Sequence, residues 1–398
     1  MLPLLVAARI AVGCPGARPA SLADALSAAS AGDEITVCGL QRGSFDVPSG
    51  VAVIGGDGAV LDGGGEGDVV RLHGAARLTD VLVRGDGGRL DHDDAAVRLE
   101  GEGGVVLRVR VESRAFGIYL RQASRAQVTD CQVTGDVAVA QASRGNGIHL
   151  WNSRGNRIER CKVHGTRDGI YLSFAHHNLI AGNLVAGVRF GIHYMYSDDN
   201  RIVANRLDGN VAGAALMFSK RNFFERNACE DNRRYGLLLK DVDSTVVRGN
   251  VLARDGNGLF VQQSADDEFE GNRIQDDVIG VHLGAGASGN LFHGNLFAHN
   301  AQQVLVHGAR DNRWDDGARG NYWSDYTGPD ADGDGIGDIP YRAGDLAGYL
   351  ADEYPLVRVL EAGPAYDAVR FAERVFPVID YPGAVDRHPL LRPPGGDP

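Results

Sequence analysis

Beyond Met1 the chain has only two methionines, Met195 and Met217, 22 residues apart, and His193 stands two residues before the first of them. Thioether sulfur with imidazole nitrogen, and no carboxylate among them, is a soft donor set that selects Cu(I) over hard cations. Methionines at such positions equally suit packing under a loop or at an interface. His149, His176 and His177 are auxiliary copper candidates. A second constellation, Asp330, Asp332, Asp334 and Asp338 with Gly335 in sixth place, matches the first part of an EF-hand calcium loop. Its twelfth position is Tyr341 rather than glutamate. These four acids are the calcium candidates. A third, Asp91-His92-Asp93-Asp94, is the best cluster for acid–base work on a polysaccharide, with Asp198 and Asp199 in a turn. No stacked pair of acids with Arg or Lys partners accompanies it. Nucleophile-elbow, phosphate-loop and dinucleotide motifs are absent from the sequence, so no catalytic residue is assigned.

The elements that position these residues come from a repeat. Gly147, Gly169, Gly191 and Gly213 are each 22 apart, Gly236 follows after one extra residue, and Gly258 and Gly280 resume the period. Gly117 opens an earlier copy with an insertion around 136–144. Asparagines keep step at 156, 178, 200 and 222, and again at 183, 205, 227, 250, 272 and 295. Each block holds segments such as Gly-Ile-His-Leu, alternating with period two and separated by Gly, Asn and Ser turns, which predicts strands of three to five residues. Twenty-two residues suit one coil of a right-handed parallel β-helix, in which coils stack at roughly 4.8 Å and asparagines form ladders within the turns. A leucine-rich repeat of similar length would show a leucine-dominated signature that is missing.

The expected fold is therefore an all-β, right-handed parallel β-helix of about ten coils, with an N-terminal cap helix and an irregular C-terminal tail. Its segments are 1–20, a weak or truncated export signal; 21–60, the cap and first coil; 61–314, the β-helix; 315–341, a Gly/Asp-rich loop; and 342–398, a docking tail with an amphipathic stretch at 365–374. Alternation in Gly-Ile-His-Leu places Ile148 and Leu150 inside and His149 and Trp151 outside. The same parity builds an exterior column of Tyr171, Ser173, His193, Met195, Ala215 and Met217, and turns Tyr194, Tyr196 and Phe218 inward.

The 398 residues are 43% hydrophobic and carry a net charge of −12, enough apolar content for a large core and the wrong sign for a sequence-independent grip on DNA or anionic lipid. No stretch reaches the ~18–20 apolar residues of a membrane-spanning helix. Cys14 and Cys38 flank the helical stretch and can pair in an exported protein, whereas Cys131, Cys161 and Cys229 fall within the repeat, where burial as small apolar residues is the default.

Four segments together resemble the NosD family: Arg189-Phe-Gly-Ile-His-Tyr-Met-Tyr-Ser197, Ala215-Leu-Met-Phe-Ser219, Gly145-Asn-Gly-Ile-His-Leu-Trp-Asn-Ser153 and Gly320-Asn-Tyr-Trp-Ser-Asp-Tyr326 with the 330–341 loop. The resemblance covers roughly residues 20–345. It implies a periplasmic, copper-binding, non-enzymatic accessory protein for maturation of nitrous oxide reductase, NosZ. It further implies association with the ATPase and permease NosF and NosY, and copper received from the lipoprotein chaperone NosL for assembly of the copper–sulfur centre. The competing readings are a secreted carbohydrate-active β-helix (lyase, epimerase or hydrolase) and a metal-free scaffold of the transporter complex.

Overall fold

The glycines that open the repeat are demanded by close approach of neighbouring coils. A Cβ on Gly147 would lie 2.8 Å from the carbonyl oxygen of Gly169, and one on Gly169 would lie 2.5 Å from that of Gly191. Neither distance admits a side chain, so the period of glycine is the period of coil contact.

The computed structural model describes residues 7–17, 21–343, 363, 368 and 383–394. The chain divides into two units, residues 1–213 and 214–398. Each is a parallel β-solenoid, and the described residues make about 14 turns with little helix. This exceeds the expected ten. The Gly-rich segment forms coils as expected, with Leu40–Arg42 pairing with Val60–Asp62 and the latter with Leu82–Arg84, and pairing extends outside 21–314, to Arg9–Val12 at one end and Tyr322–Trp323 at the other.

Every coil adds one short strand to each of three parallel sheets. In the first unit the register stacks like on like: Val128 on Ile158, Ile180 and Ile202; Val133 on Val163, Val185 and Leu207; Leu120 on Leu150, Leu172 and Tyr194. These inward columns are the core, and almost all are below 2% exposed. The second unit grows aromatic toward its end. Phe269 stacks on Phe292 at 4.4 Å between ring centroids, Phe292 on Trp314 at 4.3 Å, and Phe297 on Trp323 at 4.4 Å. Pairing continues beyond Trp314, since Leu296 and Phe297 pair with Tyr322 and Trp323. Ala384–Asp386 returns antiparallel to Tyr341–Ala343, and the buried Asp386 accepts from the Asn321 amide at 2.7 Å and from Trp323 Nε1 at 2.8 Å. The stretch 365–374 lies outside the described residues, apart from residue 368.

At the N-terminal end, Ser21 caps the helix Leu22–Ala28 in a reciprocal capping box with Asp24, and Leu22, Ala25 and Leu26 are buried. Ala29 is already extended and ends the helix sooner than its composition suggests. Arg9–Val12 forms a strand parallel to Glu34–Val37, and a disulfide joins Cys14 to Cys38. The other three cysteines are buried.

The asparagine rows are hydrogen-bond ladders. Asn178 Oδ1 accepts from the backbone amide of Asn156 at 2.9 Å and from its side-chain Nδ2 at 3.0 Å, while Asn156 Nδ2 also donates to the Ala123 carbonyl. The other row forms a ladder of the same kind in the second unit, through Asn227, Asn250, Asn272, Asn295 and Asn321. Asparagine suits the post because its oxygen and its N–H₂ satisfy an amide and a carbonyl that the turn buries. Cys161 stands at the head of one such column, its amide donating to Asn183 Oδ1.

In a third column aspartate replaces asparagine. Asp255 Oδ1 accepts from the Asn232 amide at 2.6 Å and Asp277 Oδ1 from the Asp255 amide at 2.7 Å, but both Oδ2 atoms are buried without a partner. Burial pushes the two carboxyls up to about 8 and about 9. Protonated, each resembles the asparagine amide of its neighbours. A carboxyl whose folded pKa is raised contributes its full stability below the unfolded value near 4 and loses it as pH rises through the folded value. Asp255→Asn/Asp277→Asn should therefore melt higher than the parent at pH 7.5, by an amount worth a few kcal/mol, with the gap closing toward pH 4.5. Calorimetry at the two pH values checks this, and a pH-independent gap would contradict it. Tyr194 is wholly buried in an aliphatic column, and its hydroxyl has no partner. Because an unmet buried hydroxyl costs about 1–3 kcal/mol, Tyr194→Phe should melt at or above the parent temperature; a clear loss in a thermal melt would refute it.

Candidate metal centre on the first unit

Three neighbouring strands, Ile148–Trp151, Ile170–Ser173 and Phe190–Met195, place His149, Tyr171 and His193 side by side, with Trp151, Ser173 and Met195 two residues further along. Alternation sends Leu150, Leu172 and Tyr194 inward and these six outward, as the sequence pattern predicts. The rings stack as a column, with Tyr119 to His149 at 4.7 Å, His149 to Tyr171 at 4.8 Å and Tyr171 to His193 at 4.7 Å.

Although outward-facing, the two histidines are each only 8% exposed. Phe116 and Tyr119 pack on the preceding coils, covered by Leu90 and Trp151, and Phe190 meets His193 edge-on at 4.9 Å. Met195 is half-buried.

His193 is held by a carboxylate. Its Nδ1 lies 3.0 Å from Asp168 Oδ2, and Arg189 grips the same carboxylate through Nε at 2.8 Å and Nη2 at 2.6 Å. Asp168 is 1% exposed. Burial pushes its pKa up, but the bonds from His193 and Arg189 outweigh this and hold it below the ordinary carboxylate value. An ionised carboxylate accepts only, so Nδ1 carries the proton and Nε2 presents its lone pair. Nε2 is buried and has no partner. A carboxylate that orients imidazole and raises its basicity, with the other nitrogen left free, is the arrangement of a metal-binding histidine. Imidazole Nε2 with the Met195 thioether on the same strand face fits a soft ion such as Cu(I).

His149 is the extreme case. Burial drives its pKa down to about 3, so it is neutral, and neither ring nitrogen has a partner. Of the three auxiliary copper candidates, His149 is the one that shares the ring column with His193. Tyr171 stands between them, and two strand spacings, roughly 9–10 Å, exceed the span of two metal–nitrogen bonds of about 2 Å. His176 and His177 are separated from the column. They follow the corner at Phe174, and the Asp198 amide already donates to His176 Nδ1 at 3.1 Å. Met217 lies on the strand Ala212–Lys220, half-buried, its carbonyl accepting from the Ser219 hydroxyl.

Strict alternation fails at the corners. Tyr196 and Phe218 follow their methionines with φ of 53° and 50° and are 45% and 36% exposed, so they point outward instead of joining the core. Tyr196 stacks on exposed Phe174. Asp168 and Arg189 were missed by the sequence reading. They precede the glycines of consecutive blocks, and only a reading across coils, 25 residues from Asp168 to His193, brings them together.

The other two constellations settle differently. Carboxylate oxygens of Asp330, Asp332 and Asp334 lie within 4.8 Å of one another, while Asp338 accepts from the Ala331 amide at 2.7 Å. Tyr341 is buried and donates to Asp325. Asp91–Asp94 do not act as a paired set: Asp91 is bonded to Arg89 at the surface, and Asp94 is buried, accepting from the Arg89 amide.

Residues 130–328 match the family model described as periplasmic copper-binding protein NosD. A Pseudomonas aeruginosa protein named probable ABC transporter binding protein NosD is 41% identical over 358 residues, covering 86% of this chain and 84% of that protein. A protein of the same name from Stutzerimonas stutzeri is 37% identical over 378 residues, covering 89% and 86%. Among solved structures, the Azotobacter vinelandii mannuronan C-5 epimerase AlgE6 A-module superposes with a TM-score of 0.58 at 14% identity, covering 73% of this chain and 93% of that one. The Yersinia enterocolitica family 28 exopolygalacturonase does so with 0.53 at 9%, covering 73% and 74%. At such identities these likenesses show the fold alone. The sequence relatives go further, and with the β-helical coils and the orphaned imidazole column they establish that the chain belongs to the NosD family of periplasmic copper-binding proteins.

Proposed function

We propose that this protein is a periplasmic, non-enzymatic accessory subunit of an ABC-type transporter, and that it holds Cu(I) as cargo at His193 and Met195. The observation that carries the reading is the buried Nε2 of His193, unpartnered and oriented by Asp168, beside a thioether on the same strand face. The relatives' name, ABC transporter binding protein, supports the association with an ATPase and permease, NosF and NosY. Copper received from NosL and passed to NosZ for its copper–sulfur centre completes the proposal. Few ligands suit a donor, because an incoming ligand can displace one of them without the site coming apart, whereas four closed ligands would retain the ion. Among the described residues no helix is long and apolar enough to cross a membrane, so a membrane-embedded partner would supply the transport path.

Anaerobic titration with Cu(I) against a competing chelator tests the ligands. The wild type should retain the ion, and His193→Ala and Met195→Leu should each weaken retention at least tenfold. Met217→Leu, alone and combined with Met195→Leu, measures whether the second methionine contributes. Unchanged retention in the His193 variant would sink the reading. Asp168→Asn should weaken copper retention by about 10–100-fold and, by leaving Arg189 half-buried without its anion, destabilise the fold by about 3 kcal/mol. Chelator competition and a thermal melt on the same variant separate the two effects.

A further inference from the structure

The second unit carries another donor set, of different chemistry and independent of the copper reading. Glu268–Glu270 and Leu291–His293 are neighbouring strands, with Glu270 directly opposite His293. One oxygen from each glutamate and a ring nitrogen of His293 all lie within 4.8 Å of one another, and all three residues are half-buried. His293 Nε2 is 3.1 Å from Glu268 Oε1, and on the far side of the ring Nδ1 is 3.8 Å from Asp316 Oδ2.

The imidazole is thus flanked by carboxylates at both nitrogens. A neutral imidazole has one N–H and can satisfy only one of them; the other carboxylate then faces a lone pair. Asp316 is fixed in place by the amides of Arg319 and Ala318, which also hold its pKa below the ordinary value. Nε2 is within hydrogen-bond distance of Glu268, so its N–H donates there, while Asp316 at 3.8 Å is beyond hydrogen-bond reach of Nδ1; a cation between the glutamates would take the place of that proton at Nε2, the imidazole then carrying its N–H on Nδ1, on the side of Asp316. Arg248 Nε holds Oε2 of Glu270 at 2.5 Å, which leaves its other oxygen to turn toward the same point.

We infer that Glu268, Glu270 and His293 form a divalent-cation site, with the Asp316 carboxylate on the far side of the imidazole. One imidazole and two carboxylates suit a borderline ion such as Zn²⁺, bound at about 2.0–2.2 Å with positions left open for water, and disfavour Cu(I), which seeks sulfur. The donors sit on paired strands, so only side-chain rotations are needed to close the site. The set differs from the 330–338 loop in holding a nitrogen donor with a carboxylate behind it.

Chelator-treated full-length protein should be titrated with Zn²⁺ against a chromophoric competitor, and with Co²⁺ while its visible d–d absorption is followed. The wild type should bind one equivalent more than Glu268→Gln/His293→Gln, and the Co²⁺ band should be lost from the variant. Excess Mg²⁺ or Ca²⁺ should leave the Zn²⁺ equivalent in place. Equal stoichiometry in the two proteins, or displacement by Mg²⁺, overturns the site. Should the double variant melt early, Glu268→Gln alone, which keeps an acceptor for His293, should still weaken Zn²⁺ at least tenfold, and unchanged affinity in that variant also overturns it.

Discussion

The constraint on which everything else rests is the register of parallel strands at every coil. Once the Gly147 and Gly169 backbones approach their neighbours too closely for a Cβ, each residue is placed beside its counterpart one repeat on. Inward positions then become columns of one side-chain type, and corner amides lie too deep for water. Those amides must find partners within the protein, and the stacked side-chain amides supply them. The asparagine ladders are a consequence of the register, and the register is held by them in turn.

The same geometry explains how an outward strand face becomes a buried site. Stacked aromatic rings on successive coils screen one another, so His149 and His193 lose water although neither points into the core. Desolvation keeps His149 neutral, and the two histidines differ in their partners. His193 keeps an anionic partner in Asp168, which is itself neutralised by Arg189, so that one nitrogen is committed and the other free. His149 has no such partner. One ring nitrogen committed to a carboxylate and the other left without a partner is what distinguishes His193 from His149, whose two nitrogens are both unpartnered.

The two donor sets also illustrate how ladder geometry sorts metal chemistry. Residues two apart on a strand share a face, and residues one repeat apart share a row, so any set of four such positions is a ready-made template. Filled with imidazole and thioether it is soft; filled with imidazole and carboxylate, as at Glu268, Glu270 and His293, it suits a harder ion. Where acids stand in for asparagine, as at Asp255 and Asp277, the same template holds a proton instead.

The sequence by itself determined the repeat length, the strand parity within each block, the asparagine ladders and the family, because each is a local or strictly periodic property. It also singled out His193, Met195 and Met217 as candidates, through the rarity of methionine and the fixed offset of histidine. It could not see Asp168 and Arg189, whose link to His193 runs between coils, nor the grouping of Glu268 and Glu270 with His293. It misplaced Tyr196 and Phe218 because a positive φ at a corner reverses the alternation that holds along a strand. Which outward residues are buried, which nitrogen of an imidazole is free, and which carboxyls stay protonated were decided only by tertiary structure. Each depends on what the neighbouring coil places against the group, and solvent exclusion and charge pairing act through space rather than along the chain.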